Sequence, residues 1–199
     1  KVVHHAFVAS EDSRFYQHKG MDFQSIFRAM FKNIEAGYIV QGGSTITQQV
    51  AKMMYLSPEK KYIRKLKEVI LAYKIDKYLS KDEILNLYLN QIYLGHGTYG
   101  IESASIVYFG KSAKELTLPE AALLAGLPKA PSTYSPFLYW DKAKQRQAYV
   151  LTRMVEDNYI SKEEMKKALA APIKLTEIRS KDKIAAYFVE NVRRYVQEK

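Results

Sequence analysis

Apolar side chains recur at helical spacing along nearly the whole chain, and this periodicity restricts the fold more than any other feature. In residues 23–34 they fall at i, i+3, i+4 and i+7: Phe23, Ile26, Phe27, Met30, Phe31 and Ile34. The alternation typical of half-buried strands is nearly absent. The sequence therefore predicts a mostly α fold with roughly eight to ten helices.

Residues that cap helix ends mark several of the boundaries. Asp22 is placed to cap the Phe-rich helix and Gly37 to end it. Three capping boxes begin further helices: Ser80 with Glu83, Thr117 with Glu120, and Ser161 with Glu164. We also predict helices over 80–94, 141–157 and 182–198, and Ser44 as the cap of a helix that runs to Met54.

The composition restricts the partners. Lysine and arginine total 31 against 21 acidic residues, a net charge of +10, which favours nucleic acid, a membrane surface or a phosphorylated substrate. The chain has no cysteine, which excludes disulfide scaffolds and thiol nucleophiles. It has no apolar run long enough to span a bilayer. Because it begins at Lys1 rather than Met, we expect a processed product or an excised piece.

The segment 42–54 combines a glycine pair with an amphipathic helix. Ser44, Gln48 and Lys52 fall on one helical stripe with Gln49 beside it, whereas Ile46, Val50 and Met53 form an apolar stripe. Free N–H groups after Gly42-Gly43 favour an anion. Phosphate binding and an ordinary solvated helix both fit this pattern.

Two further segments carry charges that could perform chemistry. Arg64 and Lys65 lie one helical turn before Glu68, so cations and a carboxylate share a face. The pattern fits a diphosphate cradle or a surface helix with ion pairs. Glu11 and Asp12 follow an apolar stretch and are candidates for a general base or a helix-end cap. The four histidines form no recognisable metal motif.

Taken together, these segments resemble the peptidoglycan glycosyltransferases of glycosyltransferase family 51, found in class A penicillin-binding proteins. Five signature blocks occur in order. They are Glu11-Asp12-x-x-Phe15-x-x-His18-x-Gly20; Gly42-Gly43-Ser44-Thr45-Ile46-Thr47-Gln48-Gln49; Arg64-Lys65-x-x-Glu68; Asn90-x-x-Tyr93-x-Gly95 through Gly100 and Ala104 to Tyr108-Phe109-Gly110-Lys111; and Glu120-Ala121-Ala122 through Pro128 and Pro131 to Tyr134 and Pro136.

The resemblance implies a lysozyme-like large helical lobe with a small mobile jaw lobe. We expect one glycosyltransferase domain over 1–199, with residues 22–40 and the neighbouring loop as the membrane-facing jaw and 137–199 as helical scaffold. The implied reaction polymerises lipid II into β-1,4-linked glycan strands. It inverts the anomeric carbon and releases undecaprenyl pyrophosphate.

The resemblance also assigns roles to residues. Glu11 is implied as the general base and Glu68 as a second essential carboxylate, which could orient cations, assist the leaving group or hold a metal. Asp12 is expected to orient or cap. The implied substrate-binding residues are His18, Gly42, Ser44, Thr45, Gln49, Lys52, Arg64 and Lys65, of which the last three would stabilise pyrophosphate. No cofactor is certain, although a divalent cation, Mg²⁺ or Mn²⁺, is compatible with the family.

The implied partners are lipid II, the lipid-linked glycan strand, the membrane surface and other cell-wall synthesis proteins, without nucleic acid. We expect the chain at the outer face of the bacterial cytoplasmic membrane, anchored by a segment absent from it. Two other interpretations stay open. A lysozyme-like lytic enzyme would need no cationic cradle, and a non-catalytic basic module for anionic ligands would not need Glu11 or Glu68.

Overall fold

The computed structural model describes residues 1–37, 43–54 and 61–177. These residues form nine α-helices: α1 (Val2–Glu11), α2 (Phe23–Ala36), α3 (Ile46–Met54), α4 (Lys61–Tyr78), α5 (Lys81–Gln91), α6 (Ile101–Phe109), α7 (Leu118–Ala125), α8 (Trp140–Glu156) and α9 (Lys162–Ala170). Among them only two isolated β-bridges occur, Lys19 with Met21 and Tyr93 with Tyr99. The mostly α prediction is confirmed, whereas the helix predicted over 182–198 lies outside the described residues.

Most of the predicted helix boundaries are confirmed. The Asp22 carboxylate accepts the N–H of Ser25 at 3.0 Å, and Gly37 ends α2 with φ of 73°. In the predicted boxes, the carboxylates of Glu83, Glu120 and Glu164 accept the backbone N–H of Ser80, Thr117 and Ser161. The capping residues therefore predict these helix starts correctly.

Two boundaries differ from the prediction. The helix expected over 80–94 ends at Gln91, because the Ile92 carbonyl accepts the N–H of Gly100 and the N–H of Leu94 donates to the Thr98 carbonyl. Ser44 is not the cap of α3, because the helix begins at Ile46 and the Thr45 hydroxyl accepts the N–H of Gln48 at 3.1 Å.

The chain divides into two compact units, one of residues 11–91 and the other of residues 1–10 with the described residues from 92 onward. In the second of these, α7 packs against α8 around the buried residues Leu123, Leu124, Leu151 and Met154. Glu120, at the start of α7, pairs with Lys111 at 2.8 Å. Although burial acts to raise the pKa of Glu120, hydrogen bonds from Lys111 and Thr117 bring it below its usual value.

In the 11–91 unit, α3 packs against α4 and α5. Its apolar stripe turns inward as predicted for Ile46 and Val50, which are buried, whereas Met53 is half-buried. Fully buried side chains of α5, among them Ile84, Leu85 and Tyr88, are part of the same core. This unit contains every predicted site residue that the structure describes.

Gly20 packs closely against the backbone of α4. Its φ is +76°, and a Cβ on this residue would lie 2.7 Å from the Ala72 carbonyl oxygen. The Gly20 carbonyl also accepts the Thr45 hydroxyl at 2.7 Å. Glycine is therefore needed here both for backbone conformation and for space.

We expect the substitution Gly20→Ala to lower the free energy of unfolding by about 3 kcal/mol, from left-handed strain plus the contact with Ala72. Gly37→Ala is the matched control: Gly37 has φ of +73° with nothing within 4 Å of an added Cβ. Strain alone should cost the control about 1 kcal/mol. Urea unfolding measures both variants, and equal losses would contradict the close contact.

Candidate active site

Glu11 is the last residue of α1 and is tied to α3. The Gln49 side-chain amide donates from Nε2 to the Glu11 Oε2 at 2.9 Å. Both side chains are half-buried, so the carboxylate is partly withdrawn from water but still reachable. These two residues are separated by 38 positions in the chain, and the fold of the 11–91 unit brings them together.

Asp12 holds the start of α3. Its Oδ2 accepts the N–H of Ile46, the first residue of the helix, at 2.9 Å. A carboxylate at this end also interacts favourably with the helix dipole. His18 Nε2 lies 3.0 Å from both oxygens of Asp12. The structure thus gives Asp12 a capping contact, and it ties the residue next to Glu11 to the helix that carries Gln49.

His18 lies inside the unit rather than on a surface. Its side chain is buried, and Nδ1 has no hydrogen-bond partner among the described residues. Nε2, which faces the Asp12 carboxylate, is therefore the ring nitrogen that ties His18 to the start of α3.

Two neighbouring glutamines of α3 have different surroundings, which the polar stripe did not predict. Gln48 is buried, and its Oε1 accepts the N–H of Thr45 at 3.0 Å. Thr45 is buried as well, with its hydroxyl bonded to the Gly20 carbonyl. Gln48 therefore belongs to the cap of the helix, and the expectation that it lies on the polar side of the helix, away from the buried side, is wrong.

A carboxylate with two cations lies at the start of α4. Glu68 is 4% exposed, and its two oxygens lie 3.5 Å from Arg64 Nε and 3.1 Å from Lys65 Nζ. Lys65 Nζ also donates to the Ser44 hydroxyl at 3.1 Å. The prediction that cations and carboxylate share one face of this helix is confirmed.

One predicted site residue that the structure describes, Lys52, is not brought into this cluster. Lys52 lies exposed in the last turn of α3 and forms no ion pair with a described residue. Gly42 lies outside the described residues, as do Tyr38, Ile39 and Val40 of the predicted jaw.

Tyr88 is a residue near the site that the sequence did not single out. It is fully buried on α5, and burial raises its pKa well above the usual value. The negative charges of Glu11 and Asp12 raise this pKa further. The phenol is therefore neutral at any physiological pH. Its helical position resembles that of any other core residue, so no sequence signal distinguished it.

The described residues offer no ready metal centre. Among them, no three His, Asp or Glu side chains come together in a group that could hold a metal ion. Glu68, the carboxylate for which metal binding was an open role, is instead engaged by two cationic side chains. Within the same part of the chain, every helix is too short or too polar to cross a bilayer.

Comparisons with known proteins agree on one family. The family model described as Transglycosylase matches residues 1–155. The chain is 49% identical over 200 residues to Penicillin-binding protein 1A of Neisseria gonorrhoeae, and this alignment covers 100% of this chain and 25% of that protein. For Penicillin-binding protein 1A of Aquifex aeolicus the identity is 50% over 197 residues, covering 99% and 27%. The chain thus spans about a quarter of the length of these relatives.

A solved structure gives a weaker comparison. The crystal structure of Penicillin-Binding Protein 1A from Haemophilus influenzae aligns with a TM-score of 0.47 and 37% identity, over 74% of this chain and 19% of that one.

Proposed function

Because this chain belongs to the transglycosylase family, the peptidoglycan glycosyltransferases of class A penicillin-binding proteins, we propose that it polymerises lipid II into β-1,4-linked glycan strands. The growing lipid-linked strand is the donor and lipid II is the acceptor. The observation that carries the proposal is that α3 and the residue just before it contact both the carboxylate of Glu11 and the ion-pair cluster of Arg64, Lys65 and Glu68. Gln49 of α3 bonds to Glu11, and Ser44, just before α3, bonds to Lys65.

The proposed reaction is a single in-line displacement. The 4-hydroxyl oxygen of the acceptor attacks the anomeric carbon of the donor, and the hydroxyl proton passes to the carboxylate of Glu11. The bond from the anomeric carbon to the pyrophosphate oxygen breaks, and its electron pair leaves with undecaprenyl pyrophosphate. The product is β because the donor is α-linked and the carbon inverts.

The leaving group determines what the rest of the site must do. Pyrophosphate departs with its own negative charge, so fixed cations stabilise the transition state more than a proton donor would. Arg64 and Lys65, held by the buried carboxylate of Glu68, are suited to this role. Lys52 is assigned the same role because its position matches the family pattern.

The remaining predicted residues divide into two groups. Ser44 is exposed and, with Gly42 and Gln49, is assigned to the substrate cleft. Thr45 and His18 are buried, so we propose that they shape the cleft through the cap of α3 and through Asp12 rather than by contact with the sugar. Glu68 is proposed to orient the cations.

The test is incubation of the full chain with labelled lipid II in detergent and a divalent ion, followed by separation of the products. We expect glycan strands that lysozyme digests. A lytic enzyme would instead release fragments from purified glycan, and a basic binding module would retain lipid II without converting it. Either result would overturn the proposal.

We also propose that α2 contacts the membrane surface on which lipid II lies. Its apolar side chains are unusually exposed for so long a stretch, with Phe23, Phe27 and Phe31 at 60%, 58% and 67%. Such a helix is suited to the boundary between headgroups and acyl chains. The net charge of +10 adds attraction to an anionic leaflet.

Replacing both Phe27 and Phe31 with Ser should weaken binding to phosphatidylglycerol vesicles by at least about tenfold, because each buried aromatic ring contributes roughly 1.5–3 kcal/mol. Co-sedimentation measures the effect. Tyr139→Ser is the control, since Tyr139 is also an exposed aromatic residue, at 49%, but lies on the other unit. Equal losses for the two variants would contradict a role specific to α2.

A further inference from the structure

The contact between Gln49 and Glu11 suggests a role for Gln49 beyond contact with substrate. We propose that Gln49 is a positioning residue, whose amide orients the carboxylate of Glu11 and favours its ionised form. The proposal rests on the proposed function, in which Glu11 is the general base. It assigns to Gln49 an action on the base, whereas the family resemblance implies only a place in the substrate cleft.

The helix that carries Gln49 is held firmly at its start. Asp12 accepts the N–H of Ile46, and Thr45 forms hydrogen bonds with Gly20 and Gln48. The residues on either side of Gln49 are buried, Gln48 at 3% exposure and Val50 at 3%. The backbone from which the Gln49 amide extends is therefore fixed by packing.

Glu11 is tied to this same helix at two points. Its own side chain accepts the Gln49 amide at 2.9 Å. Its neighbour Asp12 accepts the first N–H of the helix at 2.9 Å. The first bond holds the Glu11 carboxylate itself, and the second holds the adjoining backbone against the start of α3. The geometry thus fixes the direction of the carboxylate before any substrate binds.

The chemistry of an amide determines the sign of the effect. Nε2 can only donate, and a donated hydrogen bond stabilises a carboxylate more than it stabilises a carboxylic acid. Loss of the donor should therefore make Glu11 easier to protonate. As the pH is lowered, the variant would then lose polymerisation at a higher pH than the unaltered chain, because only the ionised carboxylate can accept the proton of the 4-hydroxyl.

The test uses the full chain and the variant Gln49→Met, which keeps a similar length but has no donor. We expect the acid limb of the pH–rate profile to move upward by about one pH unit, with KM for lipid II changed less than about twofold. Gln49→Glu should move the limb further, because a second carboxylate opposes ionisation of the first. Gln145→Met, at an exposed position of α8, is the matched control and should change neither value.

A second measurement does not depend on activity. Carboxyl ¹³C NMR can follow the protonation of Glu11, whose signal is assigned by its loss in Glu11→Gln. The midpoint should rise in Gln49→Met even if that variant does not polymerise. An unchanged midpoint, or a raised KM with an unchanged acid limb, would overturn the proposal and leave Gln49 as a substrate ligand. Failure of the proposed function would appear separately, as no polymerisation by the unaltered chain, and failure of Glu11 as the base would appear as full polymerisation by Glu11→Gln.

Discussion

Glu11→Gln is expected to reduce the rate of lipid II polymerisation by about a thousandfold at neutral pH, because general base catalysis typically contributes 10²–10⁴-fold. The glutamine has nearly the same size as the glutamate, but its amide cannot take the proton of the 4-hydroxyl. Its Oε1 can still accept the hydrogen bond that Gln49 donates to Glu11. The variant should therefore keep its fold and its affinity for lipid II. Single-turnover kinetics with a fluorescent lipid II measures the loss.

The control for this prediction is Glu163→Gln, at an exposed position in the first turn of α9. It makes the same chemical change away from the 11–91 unit and should polymerise at the rate of the unaltered chain. A Glu11→Gln variant that remained as active as this control would remove Glu11 as the base. Loss of lipid II binding in Glu11→Gln would instead show that Glu11 contributes to affinity.

The fold of this chain was largely predictable because its helices are specified locally. Each capping box, formed by Ser80, Thr117 or Ser161 with its glutamate, lies within one helical turn, so the local sequence alone predicts where these helices begin. The start of α3 was not specified in this way. Ser44 and Thr45 can both cap a helix, and the choice of Thr45 involves the carbonyl of Gly20, 25 residues earlier.

The candidate site was predictable in its charges but not in its contacts. Arg64, Lys65 and Glu68 are neighbours on one helix, so their ion pairs follow from helical spacing. The contacts of Asp12 with Ile46 and of Gln49 with Glu11 join residues 34 and 38 positions apart. No local rule distinguishes Gln49 from Gln48 as the partner of Glu11. The resemblance to a family proposed the candidate residues, and the structure adds which of their side chains contact one another.

The second large effect is expected at Glu68, where Glu68→Gln should lower kcat/KM for lipid II by about a hundredfold. The glutamine has the size of the glutamate but not its charge. Arg64 and Lys65 would then repel each other without the buried carboxylate between them. We expect them to lose the arrangement that the departing pyrophosphate needs. Thermal unfolding should confirm that the variant is folded.

A double-mutant cycle separates orientation of cations from an independent role of Glu68. If Glu68 acts through Lys65, then adding Lys65→Met to Glu68→Gln should cost much less than the sum of the two single losses. Fully additive losses would contradict the orienting role. Lys74→Met, an exposed lysine on the same helix, is the control for the loss of one positive charge.

Titration with a divalent ion distinguishes metal binding by Glu68 from orientation of the cations. Were Glu68 a metal ligand, its loss would raise the concentration of Mg²⁺ or Mn²⁺ that gives half-maximal polymerisation, and excess ion would restore part of the rate. An orienting carboxylate predicts a lower rate with an unchanged half-maximal concentration. We expect the second result, because both oxygens of Glu68 already face cationic side chains within 3.5 Å. Admitting a metal ion would require that carboxylate to give up at least one of these ion pairs.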